Sequence, residues 1–233
     1  MHAVVLDVDD TLYDRMDPFL AGYGKYLEKY LPRADRHEVF NAYILRGNEV
    51  FEEAMSGRMT MEEMHICRIT AAMADFGVDI TRGEALDFQA AYEEAQQHLR
   101  LRPGLEEALD ACAARGRFMG VITNGKSAAQ IGKCRVLGLE RWLPEDHILP
   151  SGAIGISKPD PRIFKEAESR WGLDPAHTWY VGDSYSNDIS GAKAAGWHTL
   201  WFDFLGLSRQ DDSLTADIIA CTPEELAAAV RKL

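Results

Sequence analysis

Val4-Val5-Leu6-Asp7-Val8-Asp9-Asp10-Thr11-Leu12-Tyr13-Asp14 runs three apolar residues straight into a cluster of carboxylates. The apolar run is short, β-branched and unbroken, which suits a strand inside a parallel sheet covered on both faces. Asp7, Asp9, Asp10 and Asp14 then crowd like charges into one turn, at a cost in free energy unless a cation or a reaction needs them there. Residues two apart on an extended segment point to the same side, so Asp7 and Asp9 can face one ligand. The alternative, solvated loop aspartates beyond a strand end, fits a lone Asp better than it fits this spacing.

Beyond this stretch, residues 15 to 98 carry helical periodicity and no alternating strand pattern. Asp17-Pro18 reads as an N-cap and first-turn pair, followed at helical spacing by Phe19, Tyr23, Tyr26, Leu27 and Tyr30. A second helix carries Val39, Phe40, Tyr43, Ile44, Val50 and Phe51 and stops near Ser56-Gly57. Thr60-x-x-Glu63 and Thr81-x-x-Glu84 have the form of capping boxes, with Gly77 as a stop between them. An antiparallel helical bundle inserted at 15–98 is the expectation.

Pro103 marks a change, after which helices alternate with short apolar runs. Strands are expected at Phe118 to Ile122, His147 to Leu149, Trp179 to Gly182, His198 to Phe202 and, at an edge, Ala216 to Ala220. Residues 1–14 with 99–233 then form one α/β domain around a parallel sheet. In open sheets of this kind ligands bind beyond the carboxyl ends of the strands. Asp7, Asp9, Thr123 and Asp183 each follow a predicted strand, so all four should gather at one edge.

The composition of the 233 residues excludes several classes. Apolar residues are 46% and charged residues 27%, with no apolar run long enough for a membrane span. The N-terminus has no basic stretch followed by an apolar core, so a signal peptide is not expected. Cys67, Cys112, Cys134 and Cys221 are scattered, which fits free thiols in a reducing cytoplasm. A net charge of -12 argues against a nucleic-acid polymer as partner. A small anionic substrate remains compatible if a divalent cation and a few cationic groups reverse the field locally.

Asp7-Val8-Asp9-Asp10-Thr11, Thr123-Asn124-Gly125, Ser157-Lys158-Pro159-Asp160 and Gly182-Asp183-Ser184-Tyr185-Ser186-Asn187-Asp188 resemble, in order and rough separation, the four motifs of the haloacid dehalogenase superfamily. The resemblance covers the α/β domain, and the helical insertion looks like the family's C1-type cap. It implies a Rossmann-like, doubly wound core and an Mg2+-dependent phosphomonoester hydrolase, nucleotidase-like in its branch, with a small phosphorylated metabolite as partner. Nucleoside monophosphates, flavin mononucleotide, phosphoglycolate and sugar phosphates are the implied substrates.

By the same resemblance Asp7 is the nucleophile and Asp9 the general acid/base, while Thr11 fixes the turn and orients Asp9. Thr123, Asn124 through its backbone N–H, and Lys158 meet the phosphate. Asp7, the Asp9 carbonyl, Asp183 and Asp188 form an oxygen set of the kind Mg2+ takes, although Asp188 has alternatives in a water-mediated contact or in orienting Lys158. Arg15, Tyr23 and Arg46 are candidates for substrate selectivity in the insertion. The dehalogenase branch has an aromatic residue where this chain has Asp9, which argues for a leaving alcohol, since an alcohol needs an acid and a halide does not. Asp10 replaces a frequent Gly and, like Asp14, has no assigned role; five histidines (His65, His98, His147, His177, His198) match no motif. A phosphomutase sharing the aspartyl-phosphate, and a non-enzymatic phospho-acceptor module, are the competing readings.

Overall fold

The computed structural model describes residues 2–211 and 213–233. It divides into two compact units, Met1–Asp14 with Arg100–Leu233, and Arg15–Leu99. The second boundary thus falls after Leu99, one residue beyond the sequence expectation.

In the first unit, six strands among the described residues form one sheet in the order β3-β2-β1-β4-β5-β6. They are β1 (Ala3–Leu6), β2 (Phe118–Thr123), β3 (Ile148–Pro150), β4 (Thr178–Gly182), β5 (His198–Phe202) and β6 (Ile218–Ala220). Every pairing is parallel. This is the strand order of a doubly wound Rossmann-type sheet, with β1 at the centre where the winding reverses. All four β1 residues are buried, as its unbroken apolar run requires. Leu6 pairs with Val121 on one side and Val181 on the other, so Asp7 follows β1 level with Ile122 and Gly182, one residue before Thr123 and Asp183 at the same edge.

The strands alternate with helices α5 (Leu105–Ala114), α6 (Ser127–Val136), α7 (Pro161–Trp171), α8 (Ser190–Ala194) and α9 (Pro223–Val230). Asp160 caps α7 through the Arg162 N–H, with Pro161 in the first turn and Gly172 in the left-handed conformation closing it. At α9 a capping box of the form Thr222-x-x-Glu225 is only half made. Thr222 accepts from the Glu225 N–H, but the Glu225 carboxylate reaches past the cap to the Cys221 N–H, 2.7 Å away. One sheet face packs Val5, Ile122, Leu149 and Tyr180 against Ile163, Phe164 and Ala167 of α7.

The second unit holds α1 (Met16–Gly22), α2 (Arg36–Met55), α3 (Met61–Ala74) and α4 (Arg82–Ala95), and α2 packs on α3 while α1 packs on α4. Both capping boxes, Thr60 with Glu63 and Thr81 with Glu84, are complete. Asp17 is not the cap of α1. The helix starts two residues earlier than that pair implies, at Met16 behind Arg15, and no side chain caps it. Phe19, Tyr23, Tyr43, Phe88 and Tyr92 form the aromatic centre of the unit, with ring centroids 5.3 to 6.2 Å apart. Among the described residues no helix is long and apolar enough to cross a membrane.

Candidate active site

Every residue of the carboxylate site belongs to the sheet unit, and Asp7 and Asp183 stand directly after β1 and β4. The backbone N–H of Asp7 extends the ladder by bonding the Val181 carbonyl at 2.9 Å, which fixes the side chain at the mouth of the sheet. Lys158, in the loop before α7, is 4% exposed and sends its ammonium into this edge. Its Nζ lies 2.6 Å from Asp7 Oδ1, 2.6 Å from Asp188 Oδ1 and 2.9 Å from the Tyr180 hydroxyl. Tyr180 in turn donates to the Ile122 carbonyl at 2.8 Å, so β2 and β4 jointly seat the lysine.

Burial pushes the Asp7 carboxyl up to about 7, against the pull of Lys158 and with the push of Asp188 and Asp9. Burial alone would lower Lys158, but Asp188 and Asp7 outweigh it and hold the ammonium well above its ordinary value. Lys158 therefore stays charged.

Asp7, Asp183 and Asp188 present carboxylate oxygens that all lie within 4.8 Å of one another. Three carboxylates against one ammonium leave a formal charge of -3 + 1 = -2 when all are ionised. A divalent cation cancels that charge, and an all-oxygen donor set is the kind Mg2+ takes, so the residues fit the ion. Asp188 has both oxygens engaged, one by Lys158 and the other by the Ser184 N–H at 2.9 Å, which suits the lysine-orienting alternative. A Cβ on Gly182 would stand 2.5 Å from the Asp188 carboxyl carbon, so only glycine lets that carboxylate lie against β4.

Asp9 is held apart from this cluster. Lys133 Nζ lies 2.6 and 2.9 Å from its two oxygens, Gln130 Nε2 donates at 3.2 Å, and the Tyr13 hydroxyl donates as well. Thr11 does not orient Asp9 as expected; its hydroxyl donates to Asp183 at 3.3 Å. Thr123 gives its hydroxyl proton to Gln130 Oε1 at 3.1 Å, so it must turn before it can donate to a phosphate. The Asn124 side chain is spent on the Lys158 backbone, donating to its carbonyl at 3.0 Å and accepting from its N–H at 2.9 Å. That amide builds the lysine loop, leaving only backbone groups of Asn124 for a phosphate.

The unassigned aspartates have structural partners. Asp10 is buried with φ at +60°, a conformation in which Gly, Asn and Asp are the usual residues. Its carbonyl accepts from Arg102 Nε at 3.2 Å and Nη2 at 3.0 Å, and Arg102 Nη1 reaches Asp14 at 3.1 Å. Arg102 thus ties down the turn that follows β1.

In the helical unit, Tyr23 is fully buried and stacked on Phe19, a core side chain with no surface to offer a substrate. The Arg46 guanidinium is engaged by Asp75 at 2.5 Å and Glu49 at 2.8 Å. Arg15 is half-buried at the start of α1. Gln130, Lys133, Tyr180 and Arg102 were missed from sequence. The first two left a signal, polar residues three apart on the helix directly after a motif strand, which share a face.

Residues 1–196 match the haloacid dehalogenase-like hydrolase family. A glyceraldehyde 3-phosphate phosphatase of Methanopyrus kandleri is 27% identical across 99% of this chain and 97% of its own. Another, of Methanothermobacter thermautotrophicus, is 30% identical across 84% and 83%. A magnesium-bound HAD-hydrolase of Bacillus subtilis superposes with a TM-score of 0.71 at 22% identity, covering 98% of each chain, a likeness of fold. The motif residues at the strand ends, the sheet that gathers them and the match over residues 1–196 make this chain a member of the haloacid dehalogenase-like hydrolase family.

Proposed function

We propose that the protein is an Mg2+-dependent phosphomonoester hydrolase of a small phosphorylated metabolite, working through an aspartyl-phosphate on Asp7. The single observation that carries this reading is the Lys158 ammonium 2.6 Å from both Asp7 and Asp188 at the mouth of a parallel sheet, with Asp9 two residues on. Phosphoryl transfer asks for positioning and charge neutralisation more than for covalent chemistry. When bound, Mg2+ supplies charge neutralisation at the phosphoryl oxygens.

An Asp7 carboxylate oxygen attacks phosphorus as the bond from phosphorus to the ester oxygen breaks, and the departing oxygen takes a proton from Asp9, which enters this step as the carboxylic acid, released from the Lys133 ammonium that holds it in this structure. Asp9, now a carboxylate, takes a proton from water. The resulting hydroxide attacks the same phosphorus, the bond to Asp7 breaks, and inorganic phosphate leaves. Lys158 orients Asp7 and offsets the charge of the phosphoryl group. Thr123 and the Asn124 backbone N–H are the phosphate contacts, with Thr123 released from Gln130. We assign selection among leaving groups to the helical insertion as its cap, with Arg15 as the contributing side chain from the sequence set.

The two glyceraldehyde 3-phosphate phosphatases, similar to this chain over most of their length, support phosphorylated small sugars as the first substrates to try. The test is phosphate release from glyceraldehyde 3-phosphate, sugar phosphates, phosphoglycolate, nucleoside monophosphates and flavin mononucleotide, with and without Mg2+. Mg2+-dependent release, abolished by Asp7→Asn, is expected. Full Mg2+-dependent activity in that variant would overturn the proposal.

A further inference from the structure

One peptide group carries the chain from Asp183 into the turn beyond β4, and both of its ends are bonded to buried side chains. Asp183 follows Gly182, whose pairing with Trp201 is the last of the β4–β5 ladder. Its carbonyl accepts from the Trp201 indole Nε1 at 2.8 Å. At the other end of the same peptide, the Ser184 N–H donates to Asp188 Oδ2 at 2.9 Å. Two bonds at opposite ends of a planar group fix its plane, and with it the backbone torsion that relates that plane to the Asp183 Cα–Cβ bond.

The sheet register brings the indole to this point. β5 runs beside β4 so that Trp201 lies level with Gly182, one residue before Asp183. Trp201 is fully buried, and the Tyr185 ring is tilted against it with centroids 4.9 Å apart. A buried indole N–H needs an acceptor. The acceptor it has is the main chain of a residue whose carboxylate belongs to the cluster that fits a cation. Thr11 adds a longer contact, 3.3 Å, to that carboxylate itself. Trp201 lies outside all four motif stretches, so no motif assigns it a role.

From this geometry we infer that Trp201 is a positioning residue for the cation site, its indole N–H holding the Asp183 backbone so that the carboxylate faces those of Asp7 and Asp188. The inference rests on the proposed reading of the cluster as an Mg2+ site and adds a residue to it. Mg2+ demands near-ideal octahedral geometry, so the direction of each donor oxygen counts. Losing a partner that orients a metal ligand costs about 10- to 100-fold in affinity. The Trp201 bond goes to the main chain and Asp188 still holds the other end of the peptide, so the lower figure, about 10-fold, is expected here.

The experiment follows the thermal midpoint against Mg2+ concentration, which gives an apparent Kd without reference to turnover. The proteins are wild type, Trp201→Phe, Leu200→Ala and one carrying 3-benzothienylalanine in place of Trp201. The analogue keeps the bicyclic ring and has sulfur where the indole has N–H, so it loses the bond and keeps the packing; it decides the matter should Trp201→Phe fold poorly. Leu200→Ala opens a cavity at a fully buried position of the same strand and leaves the indole bond in place. Both Trp201 replacements should raise Kd about 10-fold, while Leu200→Ala should lower the midpoint and keep the wild-type Kd. A wild-type Kd in the analogue, or an equal rise in Leu200→Ala, overturns the positioning role and leaves the hydrolase reading standing. A wild-type protein whose midpoint and phosphate release are both indifferent to Mg2+ overturns that reading and this inference together.

Discussion

Lys158 Nζ stands 2.6 Å from Asp7 Oδ1, with both side chains buried and the same ammonium equally close to Asp188. One cation therefore serves two carboxylates that belong to different strand ends, β1 and the turn beyond β4. Removing one member of a buried ion pair leaves an uncompensated charge, which costs about 3–5 kcal/mol.

Lys158→Met should accordingly be inactive and less stable by about that amount. Chemical denaturation of the variant against wild type measures it. A stability change below about 1 kcal/mol would show that the three carboxylates tolerate one another without the lysine.

Mg2+ should stabilise the folded protein, because the carboxylate cluster, with an excess of -2 when all three are ionised, is assembled only when the chain is folded. A ligand at 100 times its Kd contributes about 2.7 kcal/mol. The thermal midpoint should rise with Mg2+ in wild type, and chelation should remove the rise together with activity. Asp183→Ala should abolish the shift; an undiminished shift in that variant would place the ion elsewhere.

Cys134 should be a slow thiol, as should the equally buried Cys112. Burial pushes Cys134 up to about 12, with the nearby Asp9 carboxylate adding to the effect, whereas Cys67 and Cys221 are only partly buried. The thiolate is the reactive form, so a disulfide reagent applied to the native protein should leave Cys134 unmodified after Cys67 and Cys221 have reacted. Peptide mapping of the labelled protein reads this directly, and early labelling of Cys134 contradicts it.

Glu84 should make stability pH-dependent in the acid range. The Tyr30 hydroxyl, the Thr81 backbone and hydroxyl, and Lys29 hold its carboxyl down to about 2 from an ordinary value of 4.5. A depressed folded-state value means that the unfolded chain takes up the proton first. The contribution is therefore complete above 4.5 and is lost as pH falls from there toward about 2. Glu84→Gln should thus be less stable than wild type near neutrality, with the gap narrowing from about pH 6 to about pH 3. Denaturation midpoints at both pH values test this, and a gap that does not change with pH counts against it.

Local signals carried much of the architecture into view. The β1 run, both capping boxes, the Asp160-Pro161 start of α7 and Thr123 and Asp183 at strand ends are all properties of a few consecutive residues. So is the alternation of helix and strand after Pro103, which determines a parallel sheet with its ligand edge at the carboxyl ends. Tyr23 shows the limit of that view, since helical spacing puts it on an apolar stripe but does not say whether the stripe's hydroxyls reach a surface.

What the sequence by itself determined is therefore which residues stand at the sheet's carboxyl edge. Which of them pair was decided only by the tertiary structure. Lys133 and Gln130 meet Asp9 across 124 and 121 residues, Lys158 meets Asp7 across 151, and Arg102 meets Asp10 across 92. Periodicity is a local property of the chain, whereas these contacts depend on strand order, which sets β1 between β2 and β4 and so brings their loops to one point.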